Sequence, residues 1–329
     1  MTRTATASTP VSRADAGSNW PGLDALLRVA SRQVGGAPPR EIVHPDGNWN
    51  HVAEVRFGRG RTLMLKRARD YPETAAERFE NARNAATFLR ERAGVTAPEH
   101  LAFPLLDGEV PVESYWRVPL PVLKELWPAL SEPARERALR SWGELLARIH
   151  AVPAHGSGVP LLAGGNVRGD LEGRLLPAIR GVWAAAAGAT ERLAQAAPAA
   201  QARAARRTAV LVHGDMHMGN VFCTEDGEEV LCVGLLDLEE AFSAPAEADW
   251  AIMELMHGPL FGMPLPDGWL ETARAGYGRE LDPALLAFFR AYRLLNLGVN
   301  AAATGLDAHA SQVAAAVGDE VQRLEALLG

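Results

Sequence analysis

Cysteine is nearly absent from this 329-residue chain, which has only two, Cys223 and Cys232. Two thiols are too few for a structural zinc site. They flank TEDGEE, which reads as a hairpin turn. A cross-strand disulfide is conceivable there, although two reduced, packed thiols suit a cytoplasmic chain better. Long apolar runs are missing as well. Nothing approaches the roughly 18 residues a membrane helix needs, so no membrane partner is expected. The opening MTRTATASTPVSRADAGSNW is rich in Ser, Thr and Ala and lacks the continuous apolar stretch of a secretory signal. Residues 1–20 therefore read as a disordered tail, and the chain as soluble and cytoplasmic. There is no internal repeat.

What is present is globular: 48% hydrophobic and 22% charged residues, in a chain long enough for two lobes. The net charge of −7 is unevenly placed. Residues 1–122 carry 16 Lys/Arg against 14 Asp/Glu, a balance of +2, and residues 123–329 carry 17 against 26, a balance of −9. The acidic second part disfavours nucleic acid as a partner and would attract a cationic small molecule. It would equally serve to keep the protein in solution.

Hydrophobic spacing divides the chain at the same place. PGLDALLRVASRQVG has the pattern of a short helix. EIV, HVAEVRF and TLMLKRA read as strands, with the turn HPDGNWN and the hairpin loop GRGR between them. A helix is expected over about 73–93, carried by Phe79, Ala82, Ala86 and Leu89 and closed by Gly94. Two or three extended segments broken by Pro and Gly follow. After a Pro-rich connector near residues 118–128 the pattern turns helical, over roughly 131–153, 170–205, 246–258 and 265–328. Two or three short strands interrupt it around residues 208–241. The expected fold class is α+β and two-lobed: a β-rich lobe over 21–122 and a larger, mainly helical lobe over 123–329.

The chemistry concentrates in VHGDMHMGN, residues 212–220. His213, Asp215 and His217 alternate and would point the same way on a strand, as in a metal site. A hydrolytic metal needs further ligands, and the other seven histidines are scattered. Phosphoryl transfer needs a different set: a carboxylate for the attacking hydroxyl, oxygen ligands for Mg²⁺, and a cation on the donor phosphates. In kinase catalytic loops a metal-binding Asn follows the catalytic Asp by five positions. Asp215 and Asn220 have this spacing. Asp237 in VGLLDLEEA follows the hairpin where a second metal-binding Asp belongs, and Lys66 ends TLMLK on an upstream strand of the β-rich lobe. All four parts occur in order, which is far more specific than any one of them.

HGDMHMGNVF followed by LLDLEEAFSAPAEADWAIM resembles the aminoglycoside phosphotransferase family, small-molecule kinases of the protein-kinase fold that include choline-kinase-like enzymes. Asp249-Trp250-Ala251 matches the family's later Asp-hydrophobic-Ala element, and ELLARIHAVP looks like the helix ahead of the catalytic loop. The resemblance implies a catalytic base at Asp215, Mg²⁺ ligands at Asn220 and Asp237, and a phosphate clamp at Lys66. It casts His213 as a support and Gly214 as the residue that permits a tight turn. The phosphate-covering turn HPDGNWNHV has a single glycine, Gly47. Glu77 and Glu80 are both candidates for the helix acid that pairs with Lys66, with Glu80 preferred. Glu239, where the family has Gly, reads as a solvated strand-end acid. His217 and Met218 are expected to line the loop, and Asp249 to cap or anchor a helix.

The implied activity is ATP- and Mg²⁺-dependent phosphorylation of a hydroxyl on a small molecule, with GTP as an alternative donor and adenine near residues 118–126. An aminoglycoside-like or other antibiotic is the expected acceptor. A choline-like, amino-alcohol or sugar metabolite is the alternative, because the acceptor is read by variable helices without a transferable motif. A metal-dependent hydrolase using His213, Asp215 and His217 stays open, as does a nucleotide-binding protein without catalysis.

Overall fold

The computed structural model describes residues 12–13, 23–33, 36, 38–44, 50–68, 74–101, 105–107, 110–155, 158, 160, 171–227, 229–260, 265–303 and 306–329. The chain forms two compact units: residues 1–86 with 98–119, and residues 87–97 with 120–329. A simple cut near residue 122 misses the excursion of residues 87–97, whose hydrogen bonds explain it. The Thr96 N–H donates to the Val233 carbonyl (3.0 Å) and the Thr96 carbonyl accepts from Leu235 N–H (2.9 Å).

In the first unit the described residues form a seven-stranded sheet. Its strands are β1 (Ser12–Arg13), β2 (Glu41–Val43), β3 (Asn50–Arg56), β4 (Thr62–Ala68), β5 (Glu99–His100), β6 (Leu105–Asp107) and β7 (Val110–Trp116). Apart from the expected tail's Ser12–Arg13, which pairs parallel with β2, the described pairings are antiparallel. Alternation along the strands sorts side chains to opposite faces. Ala53, Val55, Leu63, Leu65 and Val112 pack with Leu26, Leu27 and Ala30 of helix α1 (Leu23–Gln33). The other face of β4 carries Met64, Lys66 and Ala68, and Ala68 packs with Ala75 and Phe79 of helix α2 (Ala75–Phe88). Lys66 is therefore on the α2 side of the sheet. The expected helix over 73–93 continues past α2 as a wider turn over Leu89–Ala93. It ends on Gly94, which adopts the left-handed conformation.

The second unit is built on helices, with short strands at its centre. Helix α3 (Leu123–Leu126) precedes α4 (Glu132–Ile149), whose Ser131 Oγ accepts from the Ala134 N–H as an N-cap. Helices α5 (Leu176–Val182) and α6 (Ala187–Ala204) lead to β8 (Val210–Val212). The hairpin β9 (Val221–Asp226) and β10 (Glu229–Leu235) follows, then β11 (Phe242–Ala244), which pairs with β8. Four more helices complete the unit: α7 (Glu247–Met256), α8 (Trp269–Tyr277), α9 (Pro283–Ala303) and α10 (Asp307–Leu328). Helix α4 meets α8 backbone to backbone, since a Cβ on Gly143 would lie 1.8 Å from the Ala273 carbonyl oxygen.

The helical stretch expected over 265–328 comprises three helices. The break was written locally: Gly278 is left-handed at φ 65°, and Asp282 Oδ1 accepts from the Ala284 N–H (2.9 Å) just ahead of Pro283. Cys223 and Cys232 are direct cross-strand partners in the hairpin, buried and unlinked, with sulfurs 3.7 Å apart. The hydrogen bond to Cys223, together with burial, pushes the Cys232 thiol up, so it remains an inert thiol. No helix among the described residues is long and apolar enough to cross a membrane.

Candidate active site

Strand β8 reads Val-Leu-Val and is buried throughout, so its end holds the next three residues firmly. His213 N–H donates to Asp249 Oδ1 (2.9 Å). Asp249 is buried in the first turn of α7, and its Oδ2 accepts from His150 Nε2 (3.1 Å) at the C-terminal end of α4. His150 Nδ1 in turn faces the Tyr277 hydroxyl (3.1 Å), and burial pushes that hydroxyl up to about 12, so it stays a donor. Asp249 therefore does more than anchor its own helix: it ties the loop to the ends of α4 and α8. Gly214 follows with φ 83°, and a Cβ there would lie 2.0 Å from the Glu240 carbonyl oxygen. Only glycine satisfies both conditions.

The turn presents Asp215, whose side chain is 28% exposed. Asn220 Nδ2 donates to the Asp215 carbonyl (2.9 Å) and approaches its Oδ2 (3.5 Å). His217 Nε2 lies 3.5 Å from the same oxygen, while its Nδ1 accepts from the Gly219 N–H (3.0 Å). On the other side, Arg293 Nη2 of α9 lies 3.7 Å from Asp215 Oδ1. Burial works against the charged carboxyl, but the His217 hydrogen bond and the His217 and Arg293 charges outweigh it and hold Asp215 at about 2. The group is a carboxylate at any ordinary pH.

Asn220 commits its amide nitrogen to Asp215, which leaves the amide oxygen as the atom a hard cation would take. Its carbonyl accepts from the Leu236 N–H (2.9 Å), which brings the end of β10, and with it Asp237, to the catalytic turn. Asp237 is the one non-glycine residue among those described with a left-handed backbone (φ 59°). Such strain concentrates where a side chain must be aimed for function. One carboxylate and one amide oxygen suit Mg²⁺, which keeps several waters and takes the rest of its ligands from substrate phosphates. Glu239 is buried, 4% exposed, and not the solvated acid its place at a strand end suggested. A protein-built metal cage fares worse. Among the described residues no three His, Cys, Asp or Glu side chains are grouped to hold an ion. Both His213 nitrogens are also engaged, Nε2 with the Leu236 carbonyl (2.7 Å) and Nδ1 with the Asp215 N–H (3.2 Å).

In the first unit, Lys66 stands directly across the β4–β7 ladder from Glu113, with Nζ 4.0 Å from Glu113 Oε2. Glu113 Oε1 is bonded to His100 Nε2 (2.8 Å), and all three side chains are almost fully buried. Glu80, the acid preferred from the sequence, has 66% of its side chain exposed and pairs with Arg83 at 3.5 Å. Glu80 and Glu113 line the same cavity of about 270 Å³ against Phe79, Arg83, His100 and Leu101. Gly47 lies outside the described residues. Sequence reasoning missed Glu113, His100 and Arg293. Glu113 emerges from the strand register, and no motif marks it or Arg293.

The small antiparallel sheet, the larger helical unit and the His-Gly-Asp turn backed by Asn220 define a protein of the kinase-like class. The chain belongs to the phosphotransferase enzyme family, whose model matches residues 42–291. No curated protein matches the sequence. Among solved structures, the GDP complex of wild-type aminoglycoside 2'-phosphotransferase-IIIa superposes with a TM-score of 0.63 at 14% identity, over 93% of this chain and 99% of that one. The apo macrolide 2'-phosphotransferase of Brachybacterium faecium gives 0.60 at 20% identity, over 90% and 97%. A ternary complex of aminoglycoside phosphotransferase APH(4)-Ia with AMP-PNP and hygromycin B gives 0.67 at 16%, over 91% and 98%. At these identities the likeness is one of fold.

Proposed function

We propose that this protein is a nucleotide- and Mg²⁺-dependent kinase that phosphorylates a hydroxyl of a small molecule. The observation that carries this reading is the Asp215–Asn220 contact, with Asn220 linked through the Leu236 amide to the turn bearing Asp237. In this reading the acceptor oxygen attacks the terminal phosphorus, the new O–P bond forms, the bond to the bridging oxygen breaks and the nucleoside diphosphate leaves. A carboxylate held at about 2 is a weak base. Asp215 therefore orients the hydroxyl by accepting its hydrogen bond, and takes the proton only once the O–P bond is well formed. Asn220 and Asp237 would hold Mg²⁺, which supplies charge neutralisation on the phosphates. Lys66, positioned by Glu113, would bind the donor phosphates, with ATP or GTP as donor and the cytoplasm, where such nucleotides abound, as the site of action.

An aminoglycoside-like or other antibiotic is the leading acceptor class, which would make this a resistance kinase. Supporting it are structural neighbours named for aminoglycoside and macrolide phosphorylation, including one holding hygromycin B. A metabolite kinase is the second reading, favoured by Arg293, a cation rather than an acid beside Asp215. The test is a nucleotide-consumption screen over aminoglycosides, macrolides, amino alcohols, sugars and hydroxy acids, read by product mass. The expected result is the gain of one phosphoryl group on one class. Consumption that no acceptor stimulates would refute the reading.

A further inference from the structure

The acidic balance of residues 123–329 suggests a site for cations, but several of those acids are paired with arginines. Glu254 is bonded to both Arg274 and Arg290, and Arg290 also pairs with Glu320 (3.0 Å). Glu247 pairs with Arg207 (3.4 Å) and Asp282 with Arg203 (3.3 Å). The charged group set against the outer oxygen of Asp215 is a guanidinium. Arg293 differs from Arg274 and Arg290 in how it meets its carboxylate. Its approach to Asp215 is loose, 3.7 Å where a charge-assisted hydrogen bond is about 2.7–2.9 Å. Its Nε, like those of Arg274 and Arg290, is buried without a hydrogen-bond partner among the described residues, and Arg293 has no closer ion pair among them to compensate. Arg290, one turn earlier on α9, holds two carboxylates; Arg293 holds part of one.

The position of Arg293 indicates what would complete it. Asn220 and His217 approach Asp215 Oδ2, the side of the proposed metal ligands, while Arg293 approaches Oδ1. An acceptor hydroxyl bonded to Asp215 must leave the metal side to the donor phosphates, so its flank falls toward Arg293. A planar fork with free donors recognises the paired oxygens of a carboxylate or a phosphate.

We infer that Arg293 recognises an oxyanion on the acceptor, so that the substrate is a hydroxyl compound bearing a carboxylate or phosphate near the hydroxyl that reacts. This rests on the kinase reading and, within it, on a metabolite acceptor in place of an aminoglycoside; anion recognition by Arg293 stands or falls separately.

The test is isothermal titration of the full-length protein, saturated with ADP and Mg²⁺, with glycerol, glycerate and glycerol phosphate as probes. At least one anion should bind about tenfold more tightly than glycerol, the size of a single charge-assisted contact. Which anion prevails separates carboxylate from phosphate. Arg293→Gln should erase the preference and Arg293→Lys retain part of it. Asp215→Asn, which removes the competing carboxylate, should enlarge it. Circular dichroism of each variant checks folding. Equal binding of all three probes by the unaltered protein overturns the inference, as does a preference that survives Arg293→Gln. Arg293-dependent anion binding without any acceptor-stimulated nucleotide consumption would sink the kinase reading alone.

Discussion

Asp249→Ala should cost far more than its distance from the chemistry suggests, and Asp249→Asn far less. Asp249 satisfies two buried donors, the His213 N–H at 2.9 Å and His150 Nε2 at 3.1 Å, and neither has access to water. Alanine leaves both unmet at about 1–3 kcal/mol each, so the loss should be about 2–6 kcal/mol. Asparagine keeps an oxygen for the His213 N–H and turns its NH₂ toward His150. His150 can answer by moving its proton to Nδ1 and donating to the Tyr277 hydroxyl, which now lies 3.1 Å away. The network then stays satisfied, and the cost falls to the difference between charged and neutral hydrogen bonds, about 1 kcal/mol. Urea unfolding at constant m-value measures both variants, and amide exchange at His213 reports whether the loop anchor persists. Equal losses for the two variants, or less than about 1 kcal/mol for alanine, would refute this account of the anchor.

Other consequences can be checked with the same material. Asp215→Ala should lower kcat for acceptor phosphorylation by roughly 10²–10⁴-fold while leaving nucleotide affinity nearly intact; an unchanged rate would remove its role. Because Asp215 titrates at about 2 when folded, against an ordinary value of 3.8, its contribution to stability is complete above that ordinary value and fades as pH falls toward about 2. Asp215→Asn should therefore flatten the acid limb of the stability profile, and any activity loss near neutral pH must come from another group. Glu113→Gln should weaken nucleotide binding more than Glu80→Gln, measured by titration with ADP and Mg²⁺; the reverse order would return Lys66 to the helix acid. Gly214→Ala must move either its own loop or the Glu240 carbonyl, 2.0 Å from the new Cβ. It should destabilise the fold by at least the roughly 1–2 kcal/mol of a strained left-handed residue, and sharply reduce kcat.

Most of the architecture is written locally. Apolar runs bounded by turn residues mark the strands EIV, HVAEVRF and TLMLKRA, and the helical stripe of Leu139, Trp142, Leu145, Leu146 and Ile149 marks α4. The break between α8 and α9 is equally legible, in Gly278 and Asp282-Pro283. The order Lys66, Asp215, Asn220, Asp237 is a property of the chain itself, and it carries the phosphotransferase reading without coordinates.

Side-chain partnership was not available in that way. The sequence offered Glu77 and Glu80 as partners of Lys66, whereas strand register sets Glu113 directly opposite it on the same face. Charge counting made residues 123–329 an acidic surface for cations. Tertiary packing pairs Glu254, Glu247 and Asp282 with arginines and sets a guanidinium beside Asp215. The physical reason is range. Turn chemistry and periodicity act over a few residues and can be read in order, whereas ion pairs join groups as distant as residues 215 and 293, and only the folded chain decides which charges meet.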